Sequence, residues 1–158
     1  MTFRAAFAFA ILLGAAAPAT ALWAENGPAL EMWEADRTQI LDSAGVSLAD
    51  FQWIARPIVV FADTPADPRF RQQMDLIESR IEELAIRDVV VIVDTDPDAM
   101  TSVRTQLRPR GFMLAMLTKE GTVFQRKPSP WDVREITRAI DKLPQRQQEI
   151  RDGTAIGG

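Results

Sequence analysis

A chain of 158 residues with a net charge of −4 and no cysteine, histidine or tyrosine is closed to several chemistries before any pattern is read. Without Cys there is no disulfide, thiolate nucleophile, iron–sulfur cluster or peroxidatic centre. Without His the usual general base and the commonest zinc ligand are missing, which excludes Ser-His and Cys-His hydrolases. The acidic balance, with arginines scattered among carboxylates, disfavours nucleic acid, whose phosphates need concentrated Lys and Arg.

Residues 1–21 have the pattern of a secretory leader: Arg4, an apolar stretch from Ala5 to Ala17, the helix breaker Pro18, and the small-x-small sequence Ala19-Thr20-Ala21. A second cleavage position follows Ala24. The apolar run is short against the roughly 20 residues needed to cross a bilayer. This predicts export, to a periplasm in a Gram-negative cell and otherwise to the medium, with no membrane span once the leader is gone. The remaining length, about 137 residues, is that of one domain.

Residues 22–45 read as an N-terminal extension, flexible up to Gly27 and then partly helical, with Leu30, Trp33, Arg37, Ile40 and Leu41 on one face. The segment Val46–Ala55 predicts a short turn or helix packed on the body by Leu48, Phe51, Trp53 and Ile54. Ile58–Ala62 is a continuous apolar run rich in β-branched residues, the pattern of a strand buried on both faces. Asp67-Pro68 supplies an N-cap and an N1 proline for a helix whose apolar stripe is Phe70, Met74, Ile77, Ile81 and Leu84. Val89–Val93 is a second buried strand, so a right-handed crossover makes the two parallel. Asp96-Pro97 opens a short helix through Met100, Val103 and Leu107. Phe112–Leu117 and Thr122–Gln125 form a hairpin around Lys119-Glu120-Gly121. Ser129-Pro130-Trp131-Asp132 opens a closing helix carrying Val133, Ile136, Ile140 and Leu143. Residues 46–151 thus form an α/β domain with a mixed sheet of about four strands. A parallel pair, an antiparallel hairpin and flanking helices give it the order of the thioredoxin fold, and a disordered tail, 152–158, follows.

In that fold a redox pair sits between the first of these strands and its helix. Here that place is Asp63-Thr64-Pro65-Ala66-Asp67, which holds no redox nucleophile, and the proline that would face it is missing before the third strand. Thiol–disulfide and peroxidase activities are excluded. Asp63 lies where open α/β sheets bind ligands, against the simpler reading of turn and capping chemistry. Asp94-x-Asp96-x-Asp98 resembles a calcium loop but lacks its glycine and its terminal glutamate, so capping by Asp96 explains it and no metal or cofactor is expected. Arg56 and Arg87 each precede a parallel strand, and Arg146 follows the last helix. With Asp88, Lys119 and Glu149 they form either a structural ion-pair network, in which Asp88 and Glu149 pair the arginines, or an anion-recognition patch built on guanidinium forks.

Trp53…Arg56-Pro57, Arg87-Asp88, Gly111-Phe112, Lys119-Glu120-Gly121 and Ile140-Asp141-Lys142-Leu143-Pro144-Gln145-Arg146…Glu149 together resemble the P-DUDES family. It is a mostly bacterial family of unknown function, similar also to domains in vertebrate sushi-repeat extracellular-matrix proteins. The likeness runs from Phe51 to Arg151 and implies a thioredoxin-like fold without an established activity. Leu143 and Gln145 stand where the family's closing Met-Pro-Met-Arg has methionines, and Thr118-Lys119-Glu120-Gly121 stands for its Gly-Lys-Asp-Gly turn.

The leading expectation is therefore an exported, non-redox binding module whose partner is a protein or small anionic ligand of the cell envelope. One alternative is an enzyme using carboxylate, Lys or Arg groups, with Asp63, Asp88 and Lys119 to test. Another is a structural or stress-related envelope protein.

Overall fold

A computed structural model describes residues 27–153; the expected leader, with the chain up to Asn26, and the expected disordered tail from Thr154 lie outside the described residues. Helix α1 (Pro28–Ala35) and strand β1 (Ile40–Asp42) come first, then a 3-10 turn (Leu48–Phe51) and β2 (Arg56–Phe61). Helices α2 (Pro68–Glu78) and α3 (Ile81–Ala85) lead to β3 (Val89–Asp94). A 3-10 turn at Pro97–Ala99 and α4 (Ser102–Leu107) precede the β4 (Met113–Leu117) and β5 (Val123–Lys127) hairpin. Helices α5 (Val133–Asp141) and α6 (Pro144–Arg151) close the domain. Among the described residues no helix is long and apolar enough to cross a membrane.

The five strands lie in the order β1-β3-β2-β4-β5. Strands β2 and β3 run parallel with Ile58 opposite Val91, and β2 and β4 antiparallel with Val60 opposite Leu114. This is a thioredoxin-like mixed sheet with helices on both faces. Because side chains alternate along a strand, the sheet divides the core in two. Val59, Phe61, Val90, Ile92, Ala115 and Leu117 pack with α1 and α4. Ile58, Val60, Val91, Leu114 and Met116 pack with α2, α3 and α5. All six residues of β2 are buried: the apolar run from Pro57 to Phe61 fills the core, and Arg56 is buried with charged and carbonyl partners.

Several elements differ from the sequence expectation, among them the closing helix, which ends at Asp141 so that Leu143 instead precedes a further helix, α6. The sheet has five strands rather than about four, because Ile40–Asp42 leaves the expected helix and pairs parallel to Val91–Val93. The extension also supplies core: Leu30 and Trp33 are buried, and the Trp33 indole N–H donates to the Val89 carbonyl at 3.3 Å. The helix carrying Phe70 to Leu84 is broken at Ser79–Arg80, where Arg80 takes φ −142°. The apolar spacing continues across the break and so hides it. Finally, Asp132 rather than Ser129 caps α5, its side chain accepting from the Arg134 amide at 2.8 Å. The Asp67 cap with Pro68 at N1 forms as expected.

Candidate functional site

Six of the seven candidate residues meet at the pole where β2 and β3 begin and β4 ends. Arg56, with none of its surface exposed, donates from Nη1 to the Arg87 carbonyl at 2.8 Å and from Nη2 to Glu149 Oε1 at 2.7 Å. The Lys119 ammonium lies 3.1 Å from the same Glu149 oxygen and 2.7 Å from Asp88 Oδ2. Arg37 takes the other Asp88 oxygen at 2.7 Å and stacks on the Trp33 ring. Arg87 forms a two-pronged pair with Asp141, at 2.9 Å on each oxygen. Arg146 bridges Asp141 and Glu149 at 3.6 and 3.3 Å.

The partner of Arg87 is thus Asp141, not Asp88, whereas Glu149 does pair Arg56 and Arg146. Burial pushes the Glu149 carboxyl up, but the hydrogen bonds and charges of Arg56 and Lys119 outweigh it and hold it below its ordinary 4.5. Asp141 is likewise raised by burial and lowered further by Arg87 and Arg146, to a net position below 3.8. Each charge in the network already faces an opposite one, so no guanidinium fork is left open. Only the buried Nε atoms of Arg56 and Arg146 lack an acceptor. The arrangement fastens α6 and α5 to the sheet.

A second ion pair, centred on Asp94 at the opposite end of β3, eluded the sequence reading. The Asp94 carboxylate is buried and accepts from Ser43 Oγ at 2.8 Å, Thr101 Oγ1 at 2.6 Å and Arg104 Nε at 2.8 Å. Arg104 also donates to the Ala62 and Asp94 carbonyls at 2.9 and 3.1 Å. Burial raises the Asp94 carboxyl, while Thr101, Arg104 and Ser43 more than compensate and hold it below 3.8. Asp96 caps only the 3-10 turn, accepting from the Asp98 amide, and Thr101 caps α4. The Asp-x-Asp-x-Asp pattern is therefore divided between a salt bridge and a turn. Among the described residues no three metal-ligating side chains gather.

Asp63, the seventh candidate, stands alone at the carboxyl end of β2. It is exposed, and its Oδ2 lies 3.9 Å from where a Cβ on Gly111 would be. The loop after β2 and the turn before β4 thus face each other as the fold requires. Gly111 takes φ +60°, a conformation glycine adopts without the strain an L side chain bears there.

Beside this turn is a groove of about 290 Å³ lined by Arg108, Arg110, Arg126 and Lys127. Its apolar surface is Phe112, Met113 and Pro128. No described carboxylate pairs with any of the four cations, in contrast to the opposite pole. Arg126 is held by the Leu107 carbonyl at 2.8 Å, and the Lys127 ammonium sits 4.3 Å from the Trp131 ring centre. The sequence carries a partial signal for this groove: Arg108 and Arg110 lie in a stretch without acidic residues, Thr101 to Thr118, whose third arginine, Arg104, instead pairs Asp94. The chemistry available is recognition of negative charge, since guanidinium and ammonium groups supply donors but no nucleophile at neutral pH.

No curated protein matches the chain. A family model does match residues 47–149, which take in all seven candidate positions and both ion-pair clusters apart from Arg37 and Ser43. The chain therefore belongs to the family described as a domain of unknown function, DUF4174.

Proposed function

We propose that the protein is an exported, non-redox binding module that takes an anionic ligand at the Phe112 groove. One observation carries this reading. In a chain of net charge −4, four cations line one groove without a carboxylate among them. Arg108, Arg110 and Arg126 are exposed and Lys127 is half-buried, so their charges, gathered in one concavity, are open to a ligand. The groove also adjoins the loop after β2, where open α/β sheets bind. A second cavity, of about 270 Å³, is lined by Ser47, Gln52, Ser102, Gln106 and Glu120 and offers no comparable charge.

Export is supported by the leader pattern of residues 1–21.

The test is thermal unfolding of the protein with sulfate, phosphate and small carboxylates. A ligand held only by the folded state raises the midpoint in proportion to the logarithm of its concentration. The expected result is stabilisation that the double variant Arg110→Glu/Arg126→Glu loses. Equal stabilisation of the variant would place the binding elsewhere and sink the proposal.

A further inference from the structure

The groove's cations are not arranged as a cradle for one spherical ion. Arg126 and Lys127 are consecutive on β5, in register with Ala115 and Leu114 respectively. Ala115 faces the half-core with α1 and α4, and Leu114 faces the half-core with α2 and α5. Neighbouring residues of a strand point to opposite faces, so the two cations leave β5 on opposite sides of the sheet. Each is anchored there. Arg126 is tied to the Leu107 carbonyl at 2.8 Å and to the Met113 sulfur at 3.4 Å. Lys127 is held over the Trp131 ring at 4.3 Å. Positive charge therefore reaches the groove from both faces of the sheet.

The apolar surface open to a ligand there comes from Met113, half-buried, and Pro128, exposed. Phe112, only 2 % exposed, backs the groove, with Met113 and Pro128 beside it. A bare oxyanion gains nothing from such a surface, whereas a flat apolar body gains in proportion to the area it removes from water. The volume, about 290 Å³, is at the lower end of the range of roughly 300–1,000 Å³ seen for small-molecule sites, which fits a compact ligand.

We infer that the groove takes a small organic dianion: two anionic groups held apart on a flat, apolar body, one meeting Arg126 and the other Lys127. Arg108 and Arg110, exposed and also lining the groove, add attraction for either anionic group. Carboxylate and phosphate oxygens suit the guanidinium fork equally, so the shared chemistry is a two-ended aryl or alkyl oxyanion. This inference rests on the anion-binding reading above and specifies its ligand.

Calorimetry on the whole protein, with four probes, tests it: sulfate, benzoate, benzene-1,3-dicarboxylate and 3-carboxyphenyl phosphate. The expected result is that at least one two-ended probe binds about fivefold or more tightly than benzoate or sulfate, the factor one added surface ion pair supplies at its upper range. Which of the two binds better distinguishes a carboxylate source from a phosphate source. Lys127→Gln should weaken the two-ended probe far more than benzoate, bringing it near benzoate's level. Arg126→Gln, read by amide shifts at Phe112 and Met113, gives an independent check should Lys127→Gln perturb the fold. Sulfate binding as tightly as the two-ended probes would overturn the ligand class but leave the anion site standing. Absence of binding by all four would overturn both. Loss of benzoate and dicarboxylate alike in Lys127→Gln would also overturn the two-ended arrangement.

Discussion

Arg56 opens the first central strand and Glu149 lies 93 residues further on, yet their side chains meet at 2.7 Å. The guanidinium is fully buried, and Glu149 also holds Lys119 and Arg146. Removing one partner of a buried pair leaves an uncompensated charge, which typically costs about 3–5 kcal/mol. Glu149→Ala should therefore lower the free energy of unfolding by about that amount, and Glu149→Gln by less, because its carbonyl still accepts from Arg56. Replacing both residues with apolar ones, as Arg56→Met/Glu149→Leu, should recover part of the loss. A double-mutant cycle in urea measures this. Additive losses would mean that the two side chains do not stabilise each other.

Acid should unfold the protein through the same carboxylates. Asp94, Asp141 and Glu149 all titrate below their ordinary values of 3.8, 3.8 and 4.5 in the folded state. A carboxyl group whose folded pKa is depressed binds fewer protons folded than unfolded, so stability rises with pH through that window. The contribution is fully present above the ordinary values and disappears as pH falls through the lower, folded ones. The chain has no histidine, so nothing of that kind titrates between pH 5 and 8. Unfolding free energy should be flat from about pH 6 to 8 and fall steadily below about pH 4.5. Glu149→Gln should reduce the acid slope. A decline beginning near neutrality would contradict this assignment.

Trp53 and Asp88 share an uncommon backbone and not a role. Both take left-handed φ, +67° and +53°, a conformation costing an ordinary L-residue roughly 1–2 kcal/mol. Trp53 is 64 % exposed and contributes chiefly its amide, donated to the Lys119 carbonyl at 2.6 Å. Trp53→Gly relieves the strain and keeps that bond, against an unfolded-state entropy cost of about 0.4–1 kcal/mol. It should be neutral or stabilising by up to about 1 kcal/mol. Asp88→Gly relieves comparable strain but strips Arg37 and Lys119 of the carboxylate they share, and should destabilise. Urea midpoints of the two variants make the comparison. Equal stability would show that the Asp88 ion pairs contribute nothing.

Buried strands were legible because two runs of β-branched residues, Ile58–Val60 and Val89–Val93, leave little choice of structure. Strand β1 was not. Ile40-Leu41-Asp42 is too short for alternation to register, and it is a strand only because β3 lies beside it. Arg37 spoiled the apolar stripe of the expected helix for a physical reason: it lies beyond the end of α1 and reaches Asp88. The network's members were nameable from their places before strands and after the last helix, but partner choice is topological. Nothing in Arg87-Asp88 says that the arginine turns to Asp141 while the aspartate turns to Arg37 and Lys119. Two of the groove's cations, Arg108 and Arg110, were visible in an acid-free stretch from Thr101 to Thr118; their convergence with Arg126 and Lys127 required the β4–β5 register.

Asp94 joins four elements, directly or through Arg104. It accepts from Ser43, just beyond β1, and from Thr101 and Arg104 at the start of α4. Arg104 in turn donates to the carbonyl of Ala62, which follows β2. With Asp94→Ala, Arg104 remains 8 % exposed and loses its counter-charge, so a cost of about 3–5 kcal/mol is expected. The loss should be uneven. Strand β1 is a three-residue edge strand with a single partner strand, and α4 is only six residues long. Both depend on this carboxylate more than do β2 and β4, which are buried between two half-cores. Hydrogen exchange on Asp94→Ala should therefore show Ile40–Asp42 and Ser102–Leu107 losing protection first, while Ile58–Phe61 and Leu114–Leu117 keep theirs until global unfolding. Uniform loss across the sheet would mean that Asp94 acts on the fold as a whole and not as the local tie its hydrogen bonds describe.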